Sequence, residues 1–107
     1  MRSCQKELGF FLRHLRRTAE VTEFEVVDHL GRRSHGLTVE EVADLAQVDT
    51  QWLRRVERGY VNITLPTAWM RRVCEALHAE YPAKSYVLNL AWQIGAQRYD
   101  ANGRRRQ

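Results

Sequence analysis

The sequence predicts an all-α fold, a compact helical bundle of about five to six helices. Three observations predict it. Apolar residues recur at i, i+3, i+4 and i+7 along most of the chain. Capping residues stand just ahead of those stripes, and glycine or proline marks their ends. No pair of strand-like runs is joined by a hairpin turn, and no internal repeat is evident. A chain of 107 residues holds one core and leaves little for a second. One domain is therefore expected over residues 3–99, with 100–107 a disordered basic tail.

Taken in order, Leu8, Phe11, Leu12 and Leu15 form one stripe on a first helix from about Ser3 to Ala19, with Ser3 as its N-cap. Thr22 and Glu25 fit a capping box. A short helix from Glu23 to about Leu30 follows from it, although the β-branched residues of Val21 to Leu30 also allow an extended stretch. Gly31 to Gly36 reads as a loop. Thr38 and Glu41 form a second capping box, opening a helix from about Val39 to Ala46. Gln47-Val48 turns the chain, Asp49 caps a helix from Thr50 to Arg58, and Gly59 ends it. Thr64 is the expected cap of a helix carrying Pro66 in its first turn and ending near Ala79. Its stripe is Trp69, Val73, Ala76 and Leu77. Pro82 breaks the chain, and Ser85 caps a last helix over 85–99. Val87, Leu90, Ala91 and Ile94 make one face of that helix; Leu88 and Trp92 make a second.

Composition narrows the function. With 44% hydrophobic and 28% charged residues the chain is globular rather than disordered. No apolar run reaches the ~18 to 20 residues of a membrane-spanning helix. The first residues lack the apolar stretch of a secretory signal, so a cytoplasmic, nucleoid-associated location is expected. Two cysteines, Cys4 and Cys74, make no disulfide scaffold, and without a C-x-x-C pair a structural zinc site is not expected. Cys74 and His78 at i, i+4 could chelate, but burial of Cys74 in the core is the stronger reading. No nucleophile–base–orienter set, glycine-rich phosphate loop or catalytic carboxylate pair is visible, which predicts a non-enzyme without cofactor or metal.

The net charge of +4 is unevenly spread. Residues 1–19 carry five bases against one acid, 20–49 two against eight, and 50–107 ten against four. A chain divided in this way turns a basic face toward an anion and keeps an acidic one elsewhere.

Leu37 to Gly59 carries the functional signal. Two short helices flank the turn Gln47-Val48-Asp49, and Val42, Leu45, Val48, Leu53 and Val56 would pack them steeply, as in a helix-turn-helix. At ~100° per residue, Asp49, Val56 and Glu57 cluster beside Leu53 on the packed side of the second helix. Gln51, Arg54, Arg55 and Arg58 centre on the opposite side, which holds long donors and no acid. Arginine suits guanine O6/N7 and glutamine suits adenine N6/N7, so this face can read a major groove.

These residues resemble a Cro/lambda-repressor-type (XRE-like) DNA-binding domain over about Leu8 to Ala96. Leu37-Thr38-x-Glu40-Glu41-Val42-Ala43 is similar to its second helix, and Val48-Asp49-x-x-x-Leu53-x-x-Val56-Glu57-Arg58-Gly59 to its third helix and following turn. Leu12-Arg13-x-Leu15-Arg16 resembles its first helix, and Arg72-Val73-x-x-Ala76-Leu77 its final core helix. The actinobacterial MmyB-like subgroup is most similar, sharing the segment before helix two, the arginine-rich loop, the aromatic at Trp52 and the arginine at Arg55. Gln47 departs from the glycine usual in the turn, which predicts strain there. The subgroup's ligand-binding domain is not expected here, so no effector pocket is carried over.

The resemblance implies a sequence-specific regulator of transcription that acts on double-stranded DNA by occupancy, such as a repressor. It implies an Arg16–Glu57 ion pair between helices one and three. Thr50, Gln51, Arg54 and Arg55 are the expected base contacts, although Arg54 near the edge of the face also suits a phosphate. Arg32, Arg33, His35, Thr38, Arg58, Tyr60 and Asn62 are the expected phosphate contacts. Trp52 belongs with them, or else packs half-buried at the flank. Leu88 and Trp92 would join a homodimer. The alternative is a protein-interaction module on the same fold. A metal sensor built on Cys74 and His78 is a third and weaker reading.

Overall fold

The computed structural model describes residues 3–20 and 36–97. Among them are five helices: α1 (Cys4–Arg17), α2 (Val39–Ala46), α3 (Thr50–Arg58), α4 (Thr67–Ala76) and α5 (Ala83–Gln97). No β-strand is present among the described residues. The predicted helix over 23–30, the loop bearing Arg32, Arg33 and His35, and the tail 100–107 lie outside them.

Local chemistry starts and stops α1 and α2 as expected. The Ser3 hydroxyl accepts from the Lys6 amide at the head of α1. At its foot, Leu37 N–H donates to the Arg16 carbonyl at 2.9 Å and Gly36 N–H to Ala19 at 2.8 Å. The chain thus returns to the end of α1 and satisfies carbonyls that the helix leaves open. In α2 the capping box is complete: Thr38 Oγ1 accepts from Glu41 N–H, and Glu41 Oε1 accepts from Thr38 N–H at 2.8 Å. Gln47 ends α2 in the left-handed region at φ 55°, where a side chain costs about 1–2 kcal/mol. The guanidinium of Arg72 on α4 donates to the Gln47 carbonyl at 3.3 Å and braces that turn.

Three later expectations are corrected. Thr64 does not cap α4. The N-cap is Pro66, which offers no side-chain acceptor, and the Thr64 carbonyl instead receives the indole N–H of Trp52 at 2.8 Å. The stripe of α4 is also turned by one residue. Met70, Val73, Cys74 and Leu77 are buried, whereas Trp69 and Ala76 are half-buried. Helix α5 begins at Ala83, before Ser85, because Glu80 and Pro82 carbonyls already accept from Lys84 and Tyr86 amides. Proline tolerates that position since the first turn needs no donor from it.

The helices share one core. Helix α1 packs on α3 and α5, α4 packs on α2 and α5, and α2 packs on α3. Leu8, Leu12, Leu53, Met70, Val73, Val87 and Ile94 meet at its centre, each at most 1% exposed. Phe11 and Tyr86 close its edge in a T-shaped contact at 4.8 Å.

Helices α1 and α3 cross at Gly9. A Cβ there would lie 2.4 Å from the Glu57 carbonyl oxygen and 2.8 Å from that of Val56. Backbone atoms cannot yield as a flexible side chain does, so any larger residue drives the helices apart. Gly9→Ala is expected to destabilise by about 1–3 kcal/mol or more through overpacking, lowering Tm by several degrees. A thermal melt identical to wild type would contradict this close crossing.

Candidate nucleic-acid interface

Helix α3 is positioned from one side. Leu53, Val56 and Glu57 are buried, and the two apolar members reach the common core. Asp49 Oδ1 accepts from the amides of Gln51 and Trp52 at 2.9 and 3.4 Å, fixing the first turn. Gly59 ends the helix at φ 75°, and a Cβ there would meet Lys6 of α1 at 2.9 to 3.2 Å. Glycine is thus required twice over, for the left-handed turn and for the approach of α1.

Glu57 is a carboxylate inside the packed side, only 6% exposed. Arg16 of α1 meets it with two parallel bonds, Nε to Oε2 at 2.9 Å and Nη2 to Oε1 at 2.8 Å. The remaining nitrogen, Nη1, donates to the Leu37 carbonyl at 2.8 Å, just ahead of α2. Arg13, one turn earlier on α1, donates to the Glu57 main-chain carbonyl at 2.8 Å. The resulting network joins α1, α3 and the approach to α2. No buried side-chain nitrogen or oxygen among the described residues lacks a partner.

With one side of α3 held, the other faces outward. Gln51, Arg55 and Arg58 are exposed, and Arg54 and Thr50 are half-buried. Helix α2, the left-handed turn at Gln47 and helix α3 form a compact two-helix unit: α2 exposes the carboxylates Glu40 and Asp44, and α3 exposes the donors Gln51, Arg55 and Arg58. The helix-turn-helix domain family matches residues 7–83 of the chain, which takes in most of α1 and all of α2, α3 and α4. The chain belongs to the helix-turn-helix domain family. No curated protein and no solved structure matches it. Members of this class are typically non-enzymatic DNA-binding units, and that is the coarse function that membership carries.

Within this helix-turn-helix domain the expected site residues are differently placed. Gln51, Arg55 and Arg58 are brought together on the open face of α3. Tyr60 and Asn62 are exposed just beyond it, and Thr38 is exposed at the head of α2, its oxygen engaged with the Glu41 amide. Trp52 is half-buried and takes up the packing position. Its N–H is committed to Thr64, its ring stands T-shaped on Trp69 at 5.1 Å, and it packs on the core. Arg32, Arg33 and His35 lie outside the described residues.

Arg54 is the departure that helical spacing could not reveal. No acid lies on its own helix face, but Glu40 from the first turn of α2 reaches across and pairs with its Nη2. Arg13 and Arg72, which brace α3 and the turn, were also missed. Both lie off the apolar stripes, and each donates to a main-chain carbonyl far along the chain, a partner that no pattern of residue types marks.

Cys74 is fully buried on α4. Burial pushes its thiol up to about 11. Helix α4 ends at Ala76, and His78 follows at φ 55°, so the two residues do not share a continuous helix face.

Two outcomes follow for the domain. Arg16→Ala or Glu57→Ala strands the partner charge in a mostly buried place and should cost about 3–5 kcal/mol, read by denaturant titration. A change below half a kcal/mol would show that the pair does not hold α3. For Cys74, the unfolded chain gives up the thiol proton at a lower pH than the folded chain does. Stability should therefore fall as pH rises from about 9 toward 11, and a Cys74→Ala variant should lose that component of the alkaline decline.

Proposed function

We propose that the chain is an XRE-like, sequence-specific regulator of transcription, related to the MmyB-like subgroup, that places α3 in the major groove of duplex DNA. The observation that carries this is the open face of α3. Gln51, Arg55 and Arg58 are exposed on a nine-residue helix whose opposite side is anchored in the core. An ordinary solvated face mixes glutamate with lysine, whereas this one presents donors suited to purine edges and phosphates. The single described unit acts by occupancy of its site, within the cytoplasm and at the nucleoid.

On this reading Gln51 and Arg55, with Thr50 beside them at the head of α3, face base edges. Arg58 at the far end of the helix, with Tyr60, Asn62 and Thr38, meets the backbone. Arg32, Arg33 and His35, outside the described residues, are assigned to phosphate contact as well. Phosphate contacts set register, and base contacts set sequence.

We further propose a homodimer through α5. Its inner face is spent on the core, whereas Trp92 on the outer face is 71% exposed and Leu88 is half-buried. Trp92, Leu88, Leu65, Met70 and Gly95 line a groove of about 350 Å³ between α4 and α5. A second copy there would favour an inverted repeat with half-sites about one helical turn apart.

Titration against a duplex selected from random sequence, and against a scrambled one, tests the assignment. Arg55→Ala or Gln51→Ala is expected to weaken the selected site by about 1–3 kcal/mol and relax preference at one base position. Arg58→Ala should weaken both duplexes alike and lower the salt slope by about one unit. Equal loss on both duplexes for Arg55→Ala would remove it as a base reader. Absence of duplex binding by wild type at low salt would move the reading to a protein-interaction module. Sedimentation with and without DNA checks the dimer, and a monomer in both conditions would reject it.

A further inference from the structure

Three acids lie around the head of the helix-turn-helix unit, and they are used differently. Glu41 turns back to the Thr38 amide, and Asp49 accepts from the first amides of α3. Glu40 performs neither task. Its Oε1 receives Nη2 of Arg54 from the neighbouring helix, with the two side chains 59% and 33% exposed. An ion pair this open contributes little to holding a fold together. It also stands beside the outward face of α3, where a carboxylate would meet a phosphate strand as a like charge.

We propose that Glu40 is a specificity-determining positioning residue, which pins the Arg54 guanidinium toward a base edge and withholds it from phosphates. This rests on the reading that α3 enters the major groove. The chemistry of the fork permits it. A guanidinium carries five N–H groups, and the bond to Glu40 engages Nη2 alone. The second N–H of Nη2, with those of Nη1, can still meet guanine O6 and N7 in a bidentate pair. A flexible arginine without this tether would serve any duplex, since every duplex offers phosphates. The tethered one gains its full contact only where a guanine lies in register. The nearby acid at the same time penalises binding that has no base contact to offset it. Glu40 thereby lowers affinity for generic DNA and sharpens choice among sequences.

The test compares wild type, Glu40→Gln, Glu40→Asp, Arg54→Ala and Glu40→Gln/Arg54→Ala on the selected and scrambled duplexes at several salt concentrations. Thermal melting checks that the fold is kept. Glu40→Gln is expected to melt like wild type and bind the scrambled duplex more tightly. Its salt slope should steepen by about one unit as Arg54 reaches a phosphate. Its preference for the selected duplex should fall about fivefold or more, with the loss confined to one base position. Glu40→Asp retains the charge but shortens the tether, so preference should fall without a steeper salt slope. In the Arg54→Ala background, Glu40→Gln should produce no further loss of preference, because the two residues act as one unit. Glu40→Gln with unchanged preference, or tightening both duplexes by the same factor, would overturn the positioning role while leaving groove binding intact. Wild type without preference for any duplex would instead remove the groove-binding premise itself.

Discussion

The geometry of this domain depends on the bidentate contact between Arg16 and Glu57. A carboxylate at 6% exposure is costly to desolvate, and only a partner with matched geometry offsets that cost. Arg16 provides the match with two of its nitrogens and uses the third on the Leu37 carbonyl, where the chain approaches α2. One guanidinium thus ties the first helix to both members of the helix-turn-helix. The contact has direction as well as strength. Apolar packing of Leu53 and Val56 would tolerate small rotations of α3, whereas a fork of two parallel bonds tolerates few.

Fixing the rotation of a short helix fixes its opposite face. Helix α3 is nine residues long, so each residue on its inner side determines where an outer one points. The close crossing at Gly9 and the left-handed stop at Gly59 bring α1 against the end of α3, and Arg13 seals the crossing through the Glu57 carbonyl. The consequence for function is rigidity. Donors on the outer face are held by a packed helix rather than a loop, so their positions relative to one another are fixed.

The turn shows how a locally unfavourable choice is tolerated. Gln47 adopts a conformation better suited to glycine. The turn closes around it, with Val48 N–H on the Ala43 carbonyl at 3.0 Å and Arg72 on the carbonyl of Gln47 itself. Strain in one residue is thus offset by bonds from a different helix. The same tertiary logic governs Trp52, whose indole is directed inward by the Thr64 carbonyl and by Trp69.

The sequence by itself determined the helical class, the bounds of α2 and α3, the capping box of Thr38 and Glu41, the stop at Gly59 and the packed side of α3. These are set by interactions within one turn of helix, where residue spacing maps directly onto geometry. Resemblance, rather than spacing, pointed to the partner of Glu57. Tertiary structure alone decided the rest. Thr64 reads as a cap but is used through its carbonyl. Pro82 reads as a break but lies in the run-up to α5, and α4 turns its stripe by one residue to bury Met70 and Cys74. Arg54 reads as a free donor but meets Glu40. In each case the deciding partner comes from another element. A local pattern lists the donors and acceptors a segment offers, but which of them meet depends on how the helices cross, and that is settled by the packing of the whole core.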